Sequence, residues 1–264
     1  VSEATEAEWG FLRSPKWIVS HVAVLALVLA MIAAGVWQIN RHGERSDRND
    51  LVRARSELAA VDIATVAPAG SDGSIGDDEQ FRRVSATGEF RIEDEVLIRN
   101  RTFDGAPGWW VLTPFVLDDG SAVAVNRGWI PAGFEADQSR PETEPPSGTI
   151  TIVGFVQPAR QAEGFQVADP AEGVLTSLAR PDVARLAQQL DYPLSPVVFQ
   201  LAPDGFGERS GDELPFTLGL PQLDAGPHAS YAAQWFIFTT IALIGYPLIL
   251  RRVSRGQAVS LPED

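Results

Sequence analysis

Only three side chains in this 264-residue sequence are imidazoles, His21, His42 and His228, and cysteine is absent. That inventory excludes disulfides, thiolate metal sites, covalent haem attachment and cysteine nucleophiles together. It leaves little for a Ser-His-Asp triad or a histidine-rich zinc centre. His228, Tyr231 and Trp235 fall at i, i+3 and i+7, one stripe of a helix, with Gln234 at its flank. Upstream, Trp37 and Arg41 share one helix face, and Gln38 and His42 share another. Two readings of this set stand side by side. One is the aromatic and polar belt that gathers where helices leave a bilayer. The other is an iron site, in which a neutral imidazole ligates haem while an arginine steadies a propionate. Composition alone favours the belt.

The elements that position these residues are two apolar stretches at the ends of the chain. Residues 17–38 carry no formal charge and, at about 1.5 Å per residue, are long enough to cross a hydrocarbon core of roughly 30 Å. The run exceeds the roughly 7 to 15 apolar residues of a cleaved signal, so it is read as a retained transmembrane helix with Trp17 and Trp37 as interfacial anchors. Residues 229–250 form the second span and stop at Arg251, Arg252 and Arg255. By the positive-inside rule that cluster is cytoplasmic. The tails 1–16 and 251–264 are then both cytoplasmic, and residues 39–228 are extracytoplasmic. Arg41, Arg45, Arg48, Arg53 and Arg55 argue the other way, but Glu44, Asp47 and Asp50 interleave them. His21 lies near the cytoplasmic end of the first span, roughly 30 Å from the outer face, and is expected to take no part in a site there.

The middle segment carries the whole net charge of −14, so no basic excess exists for nucleic acid, and none is expected as a partner. At about 190 residues it suffices for one domain with its own core. Residues 41–60 have helix-forming composition and extend the first span. Residues 68–79 are Gly-, Ser- and Asp-rich and read as a solvated loop rather than a calcium loop. Strands are predicted at 83–90, 95–101, 109–117, 122–130, 149–156 and 197–201, with a tight Asp-Gly hairpin after residue 117. Residues 140–148 must be a loop, and residues 181–190 form a short helix opened by Pro181. The fold class is thus a membrane protein of α+β type, two transmembrane helices enclosing one extracytoplasmic antiparallel β domain with a short helix. Period-two alternation puts Val123, Val125, Arg127 and Trp129 on one face of a strand. An arginine in that row needs a polar partner, either a structural ion pair or a fork bonding loop carbonyls, or else a carboxylate on a binding partner or cofactor.

Taken together, these residues resemble the Surfeit locus protein 1 family of cytochrome c oxidase assembly factors. The resemblance rests on the helix ending Trp37-Gln38 with Arg41, on VSATGEF at 84–90, and on VLIRNRTFDGAPGWWVLTPF at 96–115. VNRGWIP at 125–131 and the entry His228, Tyr231, Gln234, Trp235 into the last span complete it. It is loosest at 60–80 and 135–180, and Trp109-Trp110 is bulkier than expected. The resemblance implies a non-enzymatic role in maturing an aa3-type oxidase, supporting transient haem a delivery to the catalytic subunit. It implies a haem contact at His228; the helix stripes add Tyr231, Trp235, His42 and Arg41 as expected cofactor contacts, and Arg127, Trp129, Trp37, Gln38 and Gln234 are the expected partner contacts. The expected partners are oxidase subunits, membrane lipid and, in an actinobacterial supercomplex, the cytochrome bc1 complex. The alternative is a cofactor-free structural subunit of the oxidase.

Overall fold

A computed structural model describes residues 10–71, 75, 79–133, 141–206 and 213–255. The chain divides into two compact units, one of residues 1–50 with 223–264 and one of residues 51–222.

The first unit is a pair of long helices, α1 (Pro15–Ser56) and α4 (His228–Ser254). Both are long and apolar enough to cross a membrane, which is consistent with a two-pass topology. Their less exposed positions recur at spacings of three and four: Trp17, His21, Val24, Val28, Met31, Gly35, Gln38 and His42 on α1, and His228, Ala232, Trp235, Thr239, Ala242 and Tyr246 on α4. Such a 3.5-residue repeat forms a seam between two helices. Contacts along it run antiparallel. Tyr246 Oη meets Ser20 Oγ (3.0 Å) and His21 Nδ1 (2.6 Å) at one end, and Gln38 meets His228 at the other. Between them the Phe236 ring lies so close to Gly35 that an added Cβ would sit 2.9 Å from it. Away from the seam the helices present exposed large apolar side chains, among them Val19, Val22, Leu25, Leu29, Ile241, Ile244 and Leu248. The α4 helix continues through Pro247 to its end at Ser254.

The second unit is built on one eight-stranded sheet. Its strands are β1 (Val61–Asp62), β2 (Arg83–Phe90), β3 (Val96–Phe103), β4 (Ala106–Leu117), β5 (Ala122–Pro131), β6 (Ile150–Pro158), β7 (Ser177–Leu178) and β8 (Leu194–Leu201). The spatial order is β1-β2-β6-β8-β5-β4-β3-β7, and β2 pairs β4 as well. That last pairing closes β2, β6, β8, β5 and β4 into a barrel, which removes their free edges. Closure depends on Gly88, where any Cβ would collide with the Val116 carbonyl as β2 turns from β6 to β4.

The sheet is mixed, not antiparallel as the alternation suggested. β5 runs parallel to β8, β1 to β2 and β3 to β7. Hydrophobic alternation reports which residues face a core and carries nothing about strand direction. One core cluster gathers Val84, Ala86, Phe115, Val123, Val125, Ile152, Val156 and Phe199. A second joins Val96, Ile98, Leu112, Ala124 and Leu178 to Val183 and Leu186 of the short helix α3 (Val183–Ala187). That helix is shorter than the 181–190 expected, and Asp182 rather than Pro181 opens it, its carboxylate accepting from Arg185 N at 3.0 Å. The remaining helix is the single turn α2 (Ile63–Val66), capped by Asp62. The β4–β5 connection spans residues 118–121 with Gly120 at φ +82°, not a two-residue Asp-Gly turn. Residues 141–143 form one 3-10 turn. Asp72, Asp77 and Asp78 of the loop weighed as a calcium site lie outside the described residues.

Candidate functional site

The helix pair brings His228 and Gln38 together across its seam. His228 opens α4, and its Nδ1 lies 2.8 Å from Gln38 Oε1. An amide oxygen only accepts, so Nδ1 holds the ring proton and Nε2 keeps a free lone pair. Nε2 is buried and has no hydrogen-bond partner among the described residues. One nitrogen fixed by a second residue and the other left open is the arrangement of a metal-ligating histidine. His42 is one turn beyond Gln38 on the same stripe of α1, and its Nδ1 is likewise buried without a partner. Gly226 leaves space beside the His228 ring. At φ +66° it has the left-handed backbone that glycine adopts readily, and a Cβ there would lie 3.5 Å from His228 Nε2 and 3.1 Å from Arg45 Nη1.

Arg45, weighed in the sequence only for its charge in the topology, also belongs to this site. It stands seven positions after Gln38, on the same stripe, and Asp224 approaches its Nη1 at 3.9 Å. That spacing was a signal available in the sequence. Arg41 instead forms an exposed ion pair with Glu44 at 2.9 Å. Trp37, 60% exposed, also faces away from the seam. Tyr231 is 46% exposed and Gln234 is exposed, so Ala232, not Tyr231, occupies the packed position one turn after His228. Trp235 is half-buried, and its ring meets Phe238 edge-on at 6.3 Å. The third imidazole, His21, is engaged by Tyr246 at the other end of the helices.

The two β-unit residues singled out for partners lie inside the fold. Arg127 is 1% exposed. Its Nε donates to Thr113 Oγ1 at 2.8 Å and its Nη1 to the Thr143 carbonyl at 2.6 Å, while Nη2 is paired with Glu95, itself buried. Thr113 also donates its hydroxyl to Glu95 at 2.6 Å, and the Phe90 ring lies 5.8 Å from the guanidinium. Arg127 thus takes the ion-pair arrangement and offers no surface. A bulge explains why Trp129 parts from the Val123 and Val125 row: Val111 pairs Gly128 while Leu112 pairs Asn126, so β5 carries one residue more than β4 there. Trp129 packs with Phe103 and Phe216 and donates its Nε1 to the Arg101 carbonyl at 3.1 Å.

As a host for haem iron, the helix-pair site supplies the right donor. His228 Nε2 is a buried nitrogen with an unused lone pair, Gln38 fixes its tautomer, and Gly226 keeps side-chain bulk away from the ring. Among the described residues no group of three or more His, Asp or Glu is placed to hold a bare metal ion.

Comparison with known proteins points one way. The model of the SURF1 family matches residues 25–240. A SURF1-like protein of Mycobacterium tuberculosis is 29% identical over 269 residues, covering 96% of this chain and 92% of its own length. A SURF1-like protein of Caenorhabditis elegans is 24% identical over 255 residues, covering 88% of this chain and 74% of its own. The cytochrome oxidase assembly protein SHY1 of Saccharomyces cerevisiae is 27% identical over 151 residues, or 54% of this chain and 38% of that protein.

Proposed function

The chain belongs to the SURF1 family, and from that premise we propose that it is a non-enzymatic assembly factor for cytochrome c oxidase. In this reading it crosses the plasma membrane twice, with both termini cytoplasmic and the β unit outside. It holds haem a on His228 for delivery to the catalytic subunit. The oxidase role draws support from the yeast relative, which is an oxidase assembly protein by name. The two-pass reading draws support from the two apolar helices and from Arg251, Arg252 and Arg255 beyond the second. Oxidase subunits and lipid are its partners, with the cytochrome bc1 complex added where the oxidase is part of a supercomplex.

The observation that carries the haem assignment is the half-saturated imidazole of His228: Nδ1 bonded to Gln38, Nε2 buried and open. Haem a would supply the redox iron that the oxidase needs, while this chain orients the ring and excludes bulk at Gly226. Arg45, which shares the space beside Gly226 with the His228 ring, is a cation for a propionate in place of Arg41, and Trp235 offers an aromatic wall. A cofactor-free structural subunit is the second reading, favoured by the exposed ring of Trp37, which suits helix contact with another membrane protein.

Haem a absorbance separates the two. Full-length protein purified in detergent and loaded with haem a is expected to show a Soret band. His228→Ala abolishes it while the β unit melts as in wild type, His42→Ala weakens it at most, and His21→Ala leaves it unchanged. Equal absorbance per mole in His228→Ala and wild type would discard the haem site in favour of the structural subunit.

A further inference from the structure

The β unit gathers a set of arginines that its own fold does not neutralise. Arg99, Arg101, Arg160 and Arg180 line one open cavity of about 570 Å³. Among the described residues only Arg99 has a carboxylate, Asp169, whose other oxygen accepts from Ala179 N at 2.8 Å. Arg101 stacks its guanidinium 4.4 Å from the Trp110 ring centroid and gives Nη2 to the Ala179 carbonyl at 3.0 Å, while its buried Nε has no acceptor. Arg180 gives Nη1 to the Val167 carbonyl at 3.1 Å. Among the described residues no carboxylate forms an ion pair with Arg101, Arg160 or Arg180.

Like charges brought together in partial burial repel, and the effect is visible at the centre of the group. Burial, followed by the charges of Arg160 and Arg180, pulls the Arg101 pKa below its ordinary value. A chain of net charge −14 has carboxylates to spare, yet among the described residues this cavity has only Asp169 and Glu163 beside its four arginines. The formal excess is two positive charges, which matches a phosphate group carrying about −1.5 to −2 at neutral pH better than it matches one carboxylate.

The walls are held in place independently of any ligand. β3 shifts register between Ile98 and Arg101, with Asn100 in the left-handed region at φ +58°, and such bulges re-aim side chains next to binding sites. The segment that follows Asp169 is pinned as well: the buried Arg185 donates Nε to the Pro170 carbonyl at 2.6 Å and Nη2 to the Gly173 carbonyl at 2.7 Å. Phe165 and Val167, on the loop that carries the lining residues Glu163 and Gln166, are exposed.

We propose that this cavity binds a phosphate group, with Arg101, Arg160 and Arg180 as its cationic donors. Guanidinium forks suit phosphate oxygens, and the stacked Arg101 is already oriented. The phosphate is either free or part of a lipid headgroup. A lipid would add apolar contact with Phe165 and Val167 that the free ion lacks.

The test is isothermal titration of the full-length protein in uncharged detergent, first with inorganic phosphate and then with dihexanoyl phosphatidic acid. Arg160→Gln removes a charge whose side chain forms no hydrogen bond or ion pair among the described residues, and an Arg160→Gln/Arg180→Gln double variant removes two. Melting curves equal to wild type certify the fold of each. The expected result is saturable binding of both ligands, weakened at least about tenfold by Arg160→Gln, as for loss of a charge-assisted contact, and lost in the double variant. Tighter binding of phosphatidic acid than of phosphate identifies the lipid source, and equal binding identifies the free ion. Three results overturn the proposal: no saturable binding of either ligand, binding unchanged in both folded variants, or binding confined to an acidic peptide such as hexaglutamate. The last would make the cavity a protein-docking surface.

Discussion

Arg127 in the β unit and His228 in the helix pair are both polar side chains withdrawn from water, yet their surroundings use them differently. Every donor nitrogen of Arg127 has an acceptor, in Thr113, the Thr143 carbonyl and Glu95. His228 has one nitrogen bonded to Gln38 and the other buried with no partner among the described residues. A saturated buried charge holds a fold together and has no capacity left for a ligand. A half-saturated imidazole contributes less to the fold and retains a lone pair, at a desolvation cost that a ligand would remove. The contrast separates a side chain whose every donor is used by the fold from one that keeps a lone pair to spare.

The hardest way to break this contrast is to remove Arg127. Arg127→Ala removes the guanidinium that neutralises the Glu95 carboxylate inside the β unit, and breaking one side of a buried ion pair costs about 3 to 5 kcal/mol. The variant is expected to unfold at markedly lower denaturant in the β unit. Replacing both partners, Arg127→Met with Glu95→Leu, should recover part of that loss, because no unpaired charge then remains. A single variant as stable as wild type would show that Arg127 is not the structural member of the comparison.

The binding member is sharpened by Gln38→Leu. This change leaves His228 in place but frees its ring to rotate and to change tautomer. Loss of an outer partner of a metal-ligating histidine typically costs about 10 to 100-fold in affinity. Haem a affinity, read from Soret titration, should therefore fall by that order while the β-unit transition stays where it is. Full affinity in Gln38→Leu would mean that the hydrogen bond does not orient the ligand.

Neither assignment was fully legible beforehand, and the reasons are specific. Alternation located the long strands of the β unit to within a few residues, and hydropathy located both long helices, because burial leaves a periodic trace in residue type. Direction left no such trace, so the parallel pairing of β5 with β8 went unread. The bulge opposite Val111 and Leu112 broke the period at Trp129, since one added residue switches the face of every later position in the strand. At the helix pair, i, i+3 and i+7 counting put His228 and Trp235 on one stripe. It did not show which neighbour faces α1, and so chose Tyr231 where Ala232 packs and Arg41 where Arg45 approaches. The arginine cavity draws on β3 and the segments after β6 and β7, positions far apart in the chain that only the closed sheet gathers.

The smallest expected effect lies where the β unit meets solvent, at the β4–β5 connection. Asp119 Oδ1 accepts from Ser121 Oγ at 2.6 Å and from Ser121 N at 2.9 Å. Those bonds, the hydroxyl first, hold its carboxyl below the usual range. A folded-state pKa below the unfolded one adds stability that is present above the unfolded value and is lost as pH falls through the folded value. Asp119 is exposed, so the contribution is screened by water and stays within about 0.5 kcal/mol, as is typical of surface positions. Asp119→Ala should therefore lower the denaturant midpoint slightly at pH 7, and the gap to wild type should shrink as the pH is lowered below about 4. Arg127→Ala, by contrast, should remain far less stable than wild type at pH 7. A gap for Asp119→Ala that persists undiminished in acid would trace its loss to turn geometry and not to charge, and would remove the one acid-sensitive contact assigned to the rim of the β unit.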